Sequence, residues 1–173
     1  AEKLNYLMKI KNIDRERISK YVKKFSSASY FQNKTPWRVG CDIALPCATQ
    51  NELQLADAKS LIKNGCICVG EGANMPTTPD AISLLIEKKV LFAPGKASNA
   101  GGVAVSGLEM AQNSLRYNWS RNEVDSKLKE IMNEIHKSCL KYGTEKNYIN
   151  YVKGANIAGF VKVADAMIAQ GVV

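Results

Sequence analysis

The residues that could do chemistry are concentrated in one stretch, 90–110. A short apolar run leads into a loop of small and polar residues, 94–102, and the loop opens an apolar helix. A strand, a small-residue loop and a helix N-terminus together direct backbone N–H groups and the positive end of the helix dipole at one small space. The stretch therefore predicts a site for an anion or a cofactor.

Two further loops share the character of this one. Each of the three predicted strands is followed by small residues and by an Asn or a Thr, in loops 46–51, 71–74 and 94–102. In open parallel sheets, ligands bind beyond the carboxyl ends of the strands. Small residues let a ligand approach the backbone, and amide side chains both donate and accept hydrogen bonds. Three such loops at one sheet edge predict a ligand site there.

Individual side chains near these loops leave two interpretations open. Ser106 lies one turn into the helix, where its hydroxyl could bind a carboxylate or bond back to a main-chain carbonyl. Lys96 could pair with an anion or be solvated, and Glu71 could hold loop amides together rather than perform acid–base chemistry. His136 lies beside the apolar stripe of a helix, where a structural role is more frequent than a catalytic one. Nothing in the sequence resembles a nucleophile paired with its base.

The elements that position these loops are typical of an α/β protein. Strands are predicted at 39–45, 66–70 and 90–93, with helices between them. This alternation gives right-handed crossovers and a parallel sheet covered by helices. The run CICVG at 66–70 is uninterrupted, which is typical of a strand buried on both faces. We expect a partial Rossmann-like parallel sheet of about three to four strands with flanking helices.

The chain on either side of these strands is predicted to be mainly helical. The C-terminal part is expected to be all-helical, with a capping box at Ser120 and Glu123 and a last helix at 149–169. At the other end, one helix is predicted at 2–11 and a second behind Asp14 as its N-cap. The second helix is expected to bury the side chains of Ile18, Tyr21, Val22 and Phe25. A short strand is predicted after it, at 28–31.

The N-terminal part is also strongly basic. Residues 1–40 hold ten Lys and Arg against three Asp and Glu, in a chain of formal net charge +8. A basic end could bind nucleic acid or a phosphorylated ligand, but a solvated helix face is the more frequent explanation. No nucleic-acid-binding motif accompanies the charge, so we expect no nucleic acid as a partner.

The composition also indicates a compartment. No apolar run reaches the ~20 residues that a membrane span needs, and no signal-peptide pattern is present, so we expect no membrane partner. Five cysteines without CxxC spacing predict no zinc site, and most lie in or beside apolar runs. Cysteines of this kind favour a reducing compartment, the cytoplasm. They are Cys41, Cys47, Cys66, Cys68 and Cys139.

Four blocks of sequence resemble the hexameric glutamate dehydrogenases. They are CDIALPCATQNEL at 41–53, EGANMPTTPDA at 71–81, FAPGKASNAGGVAVSGLEMAQN at 92–113 and GANIAGFVKVADAMIAQGV at 154–172. The blocks span most of the chain from residue 41 onward. Met75, where the animal and archaeal forms usually have Gly, makes the chain more similar to the NADP-specific class.

The resemblance implies an activity and three substrate-binding residues. The family interconverts L-glutamate with 2-oxoglutarate and ammonia, moving a hydride between the substrate Cα and C4 of the nicotinamide. Ser106 matches the family serine that binds the side-chain carboxylate of the substrate, and Val103 matches a residue that lines the same pocket. Asn99 matches a residue near both the substrate and the nicotinamide.

The resemblance also implies where the cofactor binds. Ala48 and Thr49 fall where the family contacts the diphosphate and ribose, and Asn74 matches the residue beside the nicotinamide ribose. With Asn99, these residues make up the expected cofactor-binding set. The implied cofactor is NADP, with NAD left open because the residues that distinguish the two precede Ala1 in the family.

The same resemblance implies that parts of the enzyme lie outside these residues. In the family, an N-terminal domain carries the catalytic lysine and aspartate and most contacts of the homo-hexamer, and the glycine-rich dinucleotide fingerprint follows it. We therefore expect a C-terminal segment in which 1–93 form part of the cofactor domain. Residues 94–173 are expected to supply the active-site loop and the closing helices.

This segment is expected to hold no catalytic residue and to be inactive alone. It would instead form one wall of the cleft for cofactor and substrate. The alternative is a non-catalytic chain, either a nucleotide-binding remnant or an interaction module that uses its basic N-terminal helices.

Overall fold

The computed structural model describes residues 1–171, which divide into two compact units, Ala1–Pro36 and the chain from Trp37 onward. The predicted functional boundary between 93 and 94 falls inside the second unit and stays a prediction. Residues 172 and 173, the end of the predicted part 94–173, lie outside the described residues.

The first unit is less regular than predicted. Helix α1 (Glu2–Met8) continues into a π-helical turn, Lys9–Ile13, so the predicted helix is confirmed in place. Asp14 as an N-cap is wrong, because Asp14 ends the π-helical turn and Arg15 follows it with a left-handed backbone, φ +52°. The second helix is reduced to a 3₁₀ turn, Ile18–Lys20, and one α-helical turn, α2 (Tyr21–Lys24).

Aromatic packing takes the place of a longer helix in this unit. Tyr6, Tyr21 and Phe25 form a cluster whose ring centres lie 4.8–6.2 Å apart, and the ammonium of Lys24 lies 4.6 Å from the Tyr6 ring centre. Ile18, predicted to be buried, is 50% exposed. The predicted strand at 28–31 is wrong, since these residues adopt no regular structure.

The second unit is built on the predicted parallel sheet. Strands β1 (Ile43–Ala44), β2 (Cys68–Gly70) and β3 (Leu91–Ala93) pair in this order, and all are parallel. They are shorter than predicted, but each lies inside its predicted range. A single parallel bridge, Leu53 to Thr77, adds a contact between the loops beyond β1 and β2.

Helices α3 (Leu55–Lys63) and α4 (Pro79–Glu87) connect the strands and form the core with them. The predicted end of α3 is confirmed, because Asn64 is its C-cap and Gly65 follows with φ +81°. The predicted start of α4 is confirmed too, with Thr78 as N-cap and Pro79 as the first helical residue. The buried side chains at the centre are Leu53, Ala58, Leu61, Val69, Ala81, Leu85 and Phe92.

The expectation that β2 is buried on both faces is wrong for the described residues. Val69 is fully buried, but Cys68, which points to the other face, is half-buried. Its neighbours on that face, Ile43 and Leu91, are 57% and 37% exposed, and Ile67 ahead of the strand is 63% exposed. The core therefore covers the Val69 face and leaves the opposite one partly open.

The chain after β3 is helical apart from one hairpin. It comprises α5 (Gly95–Ser98), α6 (Gly101–Leu115), α7 (Arg121–Gly143) and α8 (Tyr151–Gln170). The hairpin between α7 and α8 pairs β4 (Thr144–Glu145) with β5 (Tyr148–Ile149) and corrects the all-helical expectation at that point. The Tyr148 hydroxyl donates to the carbonyl oxygen of Val90, 2.9 Å away, which connects the hairpin to the residue before β3.

The predicted capping box at the start of α7 is confirmed. The Glu123 amide donates to Ser120 Oγ at 3.3 Å, and the Ser120 amide donates to the Glu123 carboxylate at 2.7 Å. The bond from the Ser120 amide above all, with the Ser120 side chain as a second cause, lowers the pKa of the Glu123 carboxyl group. The helix therefore begins where the sequence places it.

Two glycines let α7 and α8 approach each other closely. A Cβ added to Gly154 in α8 would overlap the carbonyl group of Cys139 in α7, and one added to Gly143 would overlap the carbonyl group of Asn150. Both glycines are buried. The contact brings the first turn of α8 back to the sheet, where Val152 packs against the core.

We predict that Gly154→Ala lowers the free energy of unfolding by about 1–3 kcal/mol, because the new methyl must push α7 and α8 apart. Gly159→Ala in the same helix is the matched control. No atom lies within 4 Å of its added Cβ, so the gain in helix propensity should raise stability by about 0.5–1 kcal/mol. Urea unfolding measures both variants. Equal effects of the two substitutions would contradict the close approach.

Candidate functional site

The three loops predicted to meet at one sheet edge do meet there, joined by backbone hydrogen bonds. The amides of Gly72 and Ala73 donate to the Pro46 carbonyl oxygen, at 2.9 and 3.2 Å. The Asn51 amide donates to the Met75 carbonyl oxygen at 3.0 Å. The loop after β1 is thus fixed to the loop after β2 at both ends.

Glu71 joins the loop after β2 to the loop after β3. Its side chain is buried, with 5% of the residue exposed, and each carboxylate oxygen accepts from a different loop. Oε1 accepts from the Thr77 amide at 3.2 Å, and Oε2 accepts from the Gly95 amide at 2.6 Å. The Ser98 hydroxyl donates to the Glu71 carbonyl oxygen at 2.6 Å. The interpretation of Glu71 as a holder of loop amides is confirmed.

Asn74 and Asn99, both in the expected cofactor set, are in direct contact. Asn99 Nδ2 donates to Asn74 Oδ1 at 2.7 Å, which links the loops after β2 and β3 through side chains. Both residues line a cavity of about 570 Å³ at this edge of the sheet. Glu71, Thr77, Phe92, Gly95, Lys96 and Val152 are also among its lining residues. The volume lies within the range of small-molecule sites.

The backbone at Met75 is strained. Its φ is +50°, in the left-handed region that disfavours residues with a Cβ, and its side chain is 63% exposed. A glycine would adopt this conformation without a Cβ penalty. The strained residue directly follows Asn74, on the wall of the cavity.

The other expected site residues lie outside the lining of this cavity. Ser106 and Val103 share one exposed face of α6, and Val103 is 73% exposed. The Ser106 hydroxyl donates to the Gly102 carbonyl oxygen at 3.3 Å, the back-bonded geometry of a helical serine. Ala48 and Thr49 are exposed in the loop after β1, where the Ala48 amide donates to the Glu52 carboxylate at 2.7 Å. The structure brings Asn74 and Asn99 into contact, and the other four residues do not line the cavity.

Lys96 and His136, each with two interpretations open, both contact α8. Lys96, which lines the cavity, donates to Asn156 Oδ1 at 2.7 Å. The His136 ring stacks on Tyr151 with ring centres 5.8 Å apart, and its Nε2 lies 3.1 Å from the Tyr151 hydroxyl. Burial, with the nearby thiols of Cys68 and Cys139, raises the pKa of that hydroxyl. For His136 the packing agrees with a structural role.

Helix α8 contributes to the site, which the sequence analysis above does not predict. Val152 lines the cavity and Asn156 holds Lys96, both in the first two turns of that helix. The signal was present in the block GANIAGF at 154–160, whose first glycine permits the close approach to α7. Only the packing of α7 on α8 shows that this block returns to the sheet edge.

Three further features concern the described part of the chain as a whole. Across residues 1–171, no group of three or more His, Cys, Asp or Glu side chains could hold a metal ion. All five cysteines are free thiols. No helix in the same range has the length and apolar character needed to cross a membrane.

With this geometry established, comparison with known proteins identifies the family. The profile of the glutamate/leucine/phenylalanine/valine dehydrogenases matches residues 2–171. The chain belongs to this family. The resemblance to glutamate dehydrogenases is confirmed, and so is the expected α/β fold with its partial parallel sheet.

Relatives in this family carry both cofactor specificities in their names. The NADP-specific glutamate dehydrogenase of Haemophilus influenzae is 61% identical over 174 residues, which are 99% of this chain and 38% of that protein. The NAD-specific glutamate dehydrogenase of Bacteroides fragilis is 56% identical over 174 residues, covering 100% of this chain and 39% of that protein. The chain thus spans about two fifths of the length of these relatives.

The fold agrees with a solved structure in the family. The crystal structure of Plasmodium falciparum glutamate dehydrogenase superposes with a TM-score of 0.89 at 52% sequence identity. The match covers 99% of this chain and 37% of that one. The sheet, its loops and the closing helices therefore have the arrangement found in glutamate dehydrogenases.

We predict that Thr77→Val raises the free energy of unfolding by about 1 kcal/mol. The Thr77 hydroxyl is buried and has no hydrogen-bond partner within the described residues, so an isosteric apolar group removes its desolvation penalty. The control is Thr78→Val, since the Thr78 hydroxyl donates to the Asp80 carboxylate at the start of α4, and the loss of this hydrogen bond should destabilise the protein. Chemical unfolding compares the two. A lower free energy of unfolding for Thr77→Val than for the wild type would contradict an unsatisfied hydroxyl at Thr77.

Proposed function

We propose that this chain is the C-terminal part of an NADP-dependent glutamate dehydrogenase and forms one wall of its active cleft. The enzyme would convert L-glutamate reversibly to 2-oxoglutarate and ammonia. The observation that carries the proposal is the junction of three strand-end loops at one sheet edge, in a chain of this family. Ligands of open parallel sheets bind at such an edge.

The residues at this edge fit a nicotinamide cofactor. The paired amides of Asn74 and Asn99 offer donors and acceptors suited to a ribose hydroxyl or a carboxamide. Gly95 lines the cavity without a side chain, so a ring could lie close to the backbone there. When bound, the cofactor supplies hydride transfer, while the protein orients the reacting carbons and excludes water. Asn74 and Asn99 would hold the nicotinamide side, with Ala48 and Thr49 at the diphosphate and ribose.

The choice of NADP rests on Met75. NADP-specific and NAD-specific relatives have similar identities to this chain, so overall identity does not decide between the two cofactors. Met75 occupies a left-handed backbone position that glycine would adopt more readily, and its retention there agrees with the resemblance to the NADP-specific class.

The substrate would bind at the start of α6. Val103 and Ser106 lie one turn apart on an exposed face, which a second wall of a cleft could cover. The Ser106 hydroxyl can rotate from the Gly102 carbonyl oxygen to donate to the side-chain carboxylate of glutamate. Asn99, at the turn before α6, would lie between the substrate and the nicotinamide.

The proposal extends to the whole protein. Catalytic acid–base groups would come from a part of the enzyme outside these 173 residues, so this chain alone would be inactive. The partners would be L-glutamate, 2-oxoglutarate and further subunits of a homo-hexamer. Free thiols at all five cysteines agree with a cytoplasmic location.

We predict that Ser106→Ala, in the protein that carries this chain, raises KM for glutamate about tenfold to a hundredfold. A hydrogen bond to a charged carboxylate contributes about 1.5–3 kcal/mol. Steady-state kinetics of glutamate oxidation measures the effect. Ser83→Ala is the matched control, because the Ser83 hydroxyl on α4 bonds back to the Pro79 carbonyl oxygen in the same way. A glutamate KM that is unchanged by Ser106→Ala would refute the assigned role.

A further inference from the structure

The burial of the Glu71 carboxylate is not fully explained by its role in holding two loops together. Among residues 1–171 it is the one charged side chain that is buried. Burying a carboxylate is unfavourable unless hydrogen bonds compensate it, and both of its oxygens are used for backbone amides. A neutral side chain could have filled the same space without that penalty.

The two amides that Glu71 holds belong to the loops that carry Asn74 and Asn99. Thr77 is three residues beyond Asn74, and Gly95 is four residues before Asn99. A rigid carboxylate of fixed width therefore sets the distance between the two loops. The 2.7 Å hydrogen bond between Asn74 and Asn99 depends on that distance.

The surroundings of Gly95 show how little freedom this arrangement has. A Cβ added at Gly95 would lie 3.0 Å from the Ala73 carbonyl oxygen and 3.2 Å from Glu71 Oε2. The backbone of α5 can approach the carboxylate only because this residue lacks a side chain. The Ser98 hydroxyl adds a third bond, to the carbonyl oxygen of Glu71 itself.

We propose that Glu71 is a positioning residue for the coenzyme site, which acts by holding the Asn74–Asn99 pair at its binding separation. This inference rests on the proposed function, because it concerns the same site. Both carboxylate oxygens of Glu71 already accept from backbone amides. Its effect on binding passes through Asn74 and Asn99.

Glutamine cannot replace the carboxylate in this role. One side-chain oxygen can accept from the Thr77 or the Gly95 amide, but the NH₂ group then faces the second amide, donor against donor. One loop is released and a buried N–H loses its partner. We expect the separation of Asn74 and Asn99 to change as a result.

A double-mutant cycle tests the inference in the protein that carries this chain. Glu71→Gln, Asn74→Ala and the double variant are titrated with NADPH and with NADH, and the dissociation constant comes from coenzyme fluorescence. We expect each single substitution to weaken binding about tenfold, the loss of one well-placed hydrogen bond. The double variant should be no weaker than about tenfold, because both substitutions disable the same pair.

If Glu71 only stabilised the fold, the dissociation constants in this cycle would differ from those expected above. Losses that multiply to about a hundredfold in the double variant, or a Glu71→Gln variant that binds like wild type, would overturn the inference. Ser120→Ala is the stability control, because it removes the cap of α7 and should leave the dissociation constant unchanged. A wild-type protein that binds neither coenzyme would overturn the proposed function, and this inference with it.

A second variant serves if Glu71→Gln does not fold. Glu71→Asp keeps the charge but is shorter by one methylene, so it cannot reach both the Thr77 and the Gly95 amides. The same cycle with Asn74→Ala is expected to be non-additive. Additive losses would count against Glu71 as a positioning residue.

Discussion

The candidate site depends on two hydrogen bonds that the Glu71 carboxylate accepts from backbone amides. A buried charge is tolerated when hydrogen bonds replace its hydration, and here two backbone amides from different loops do so. The same two bonds fix the loop after β2 against the loop after β3. With these loops fixed, Asn74 and Asn99 are within hydrogen-bonding distance, and the cavity beside them has a defined wall.

A second constraint comes from the helices that follow the sheet. Gly154 lets α8 lie directly against the backbone of α7, so the first turns of α8 reach the sheet edge. There Val152 contributes to the cavity wall and Asn156 accepts from Lys96. Residues far apart in the chain thus complete one site, and its shape depends on helix packing as well as on the loops.

Much of this arrangement could be predicted from local sequence. Short-range signals identify the strands, the helix caps at Thr78 and Ser120, and the small-residue loops. The role of Glu71 also has such a signal, because it is a lone acidic residue directly after a strand. Asp14 was a misleading signal, because a left-handed Arg15 follows it. The hairpin was missed because its turn, 146–147, contains no glycine. The open face near Cys68 and the return of α8 depend on contacts between distant elements, which periodicity does not encode.

The central claim is that the joined loops face a nicotinamide coenzyme, and hydrogen–deuterium exchange measures this most directly. Exchange is followed by mass spectrometry in the protein that carries this chain, with and without NADPH. We expect slower exchange on coenzyme binding in peptides that cover 46–51, 71–77 and 95–103, and no change at the β4–β5 hairpin. Protection confined to the hairpin or to residues 1–36, with the three loops unchanged, would contradict the account.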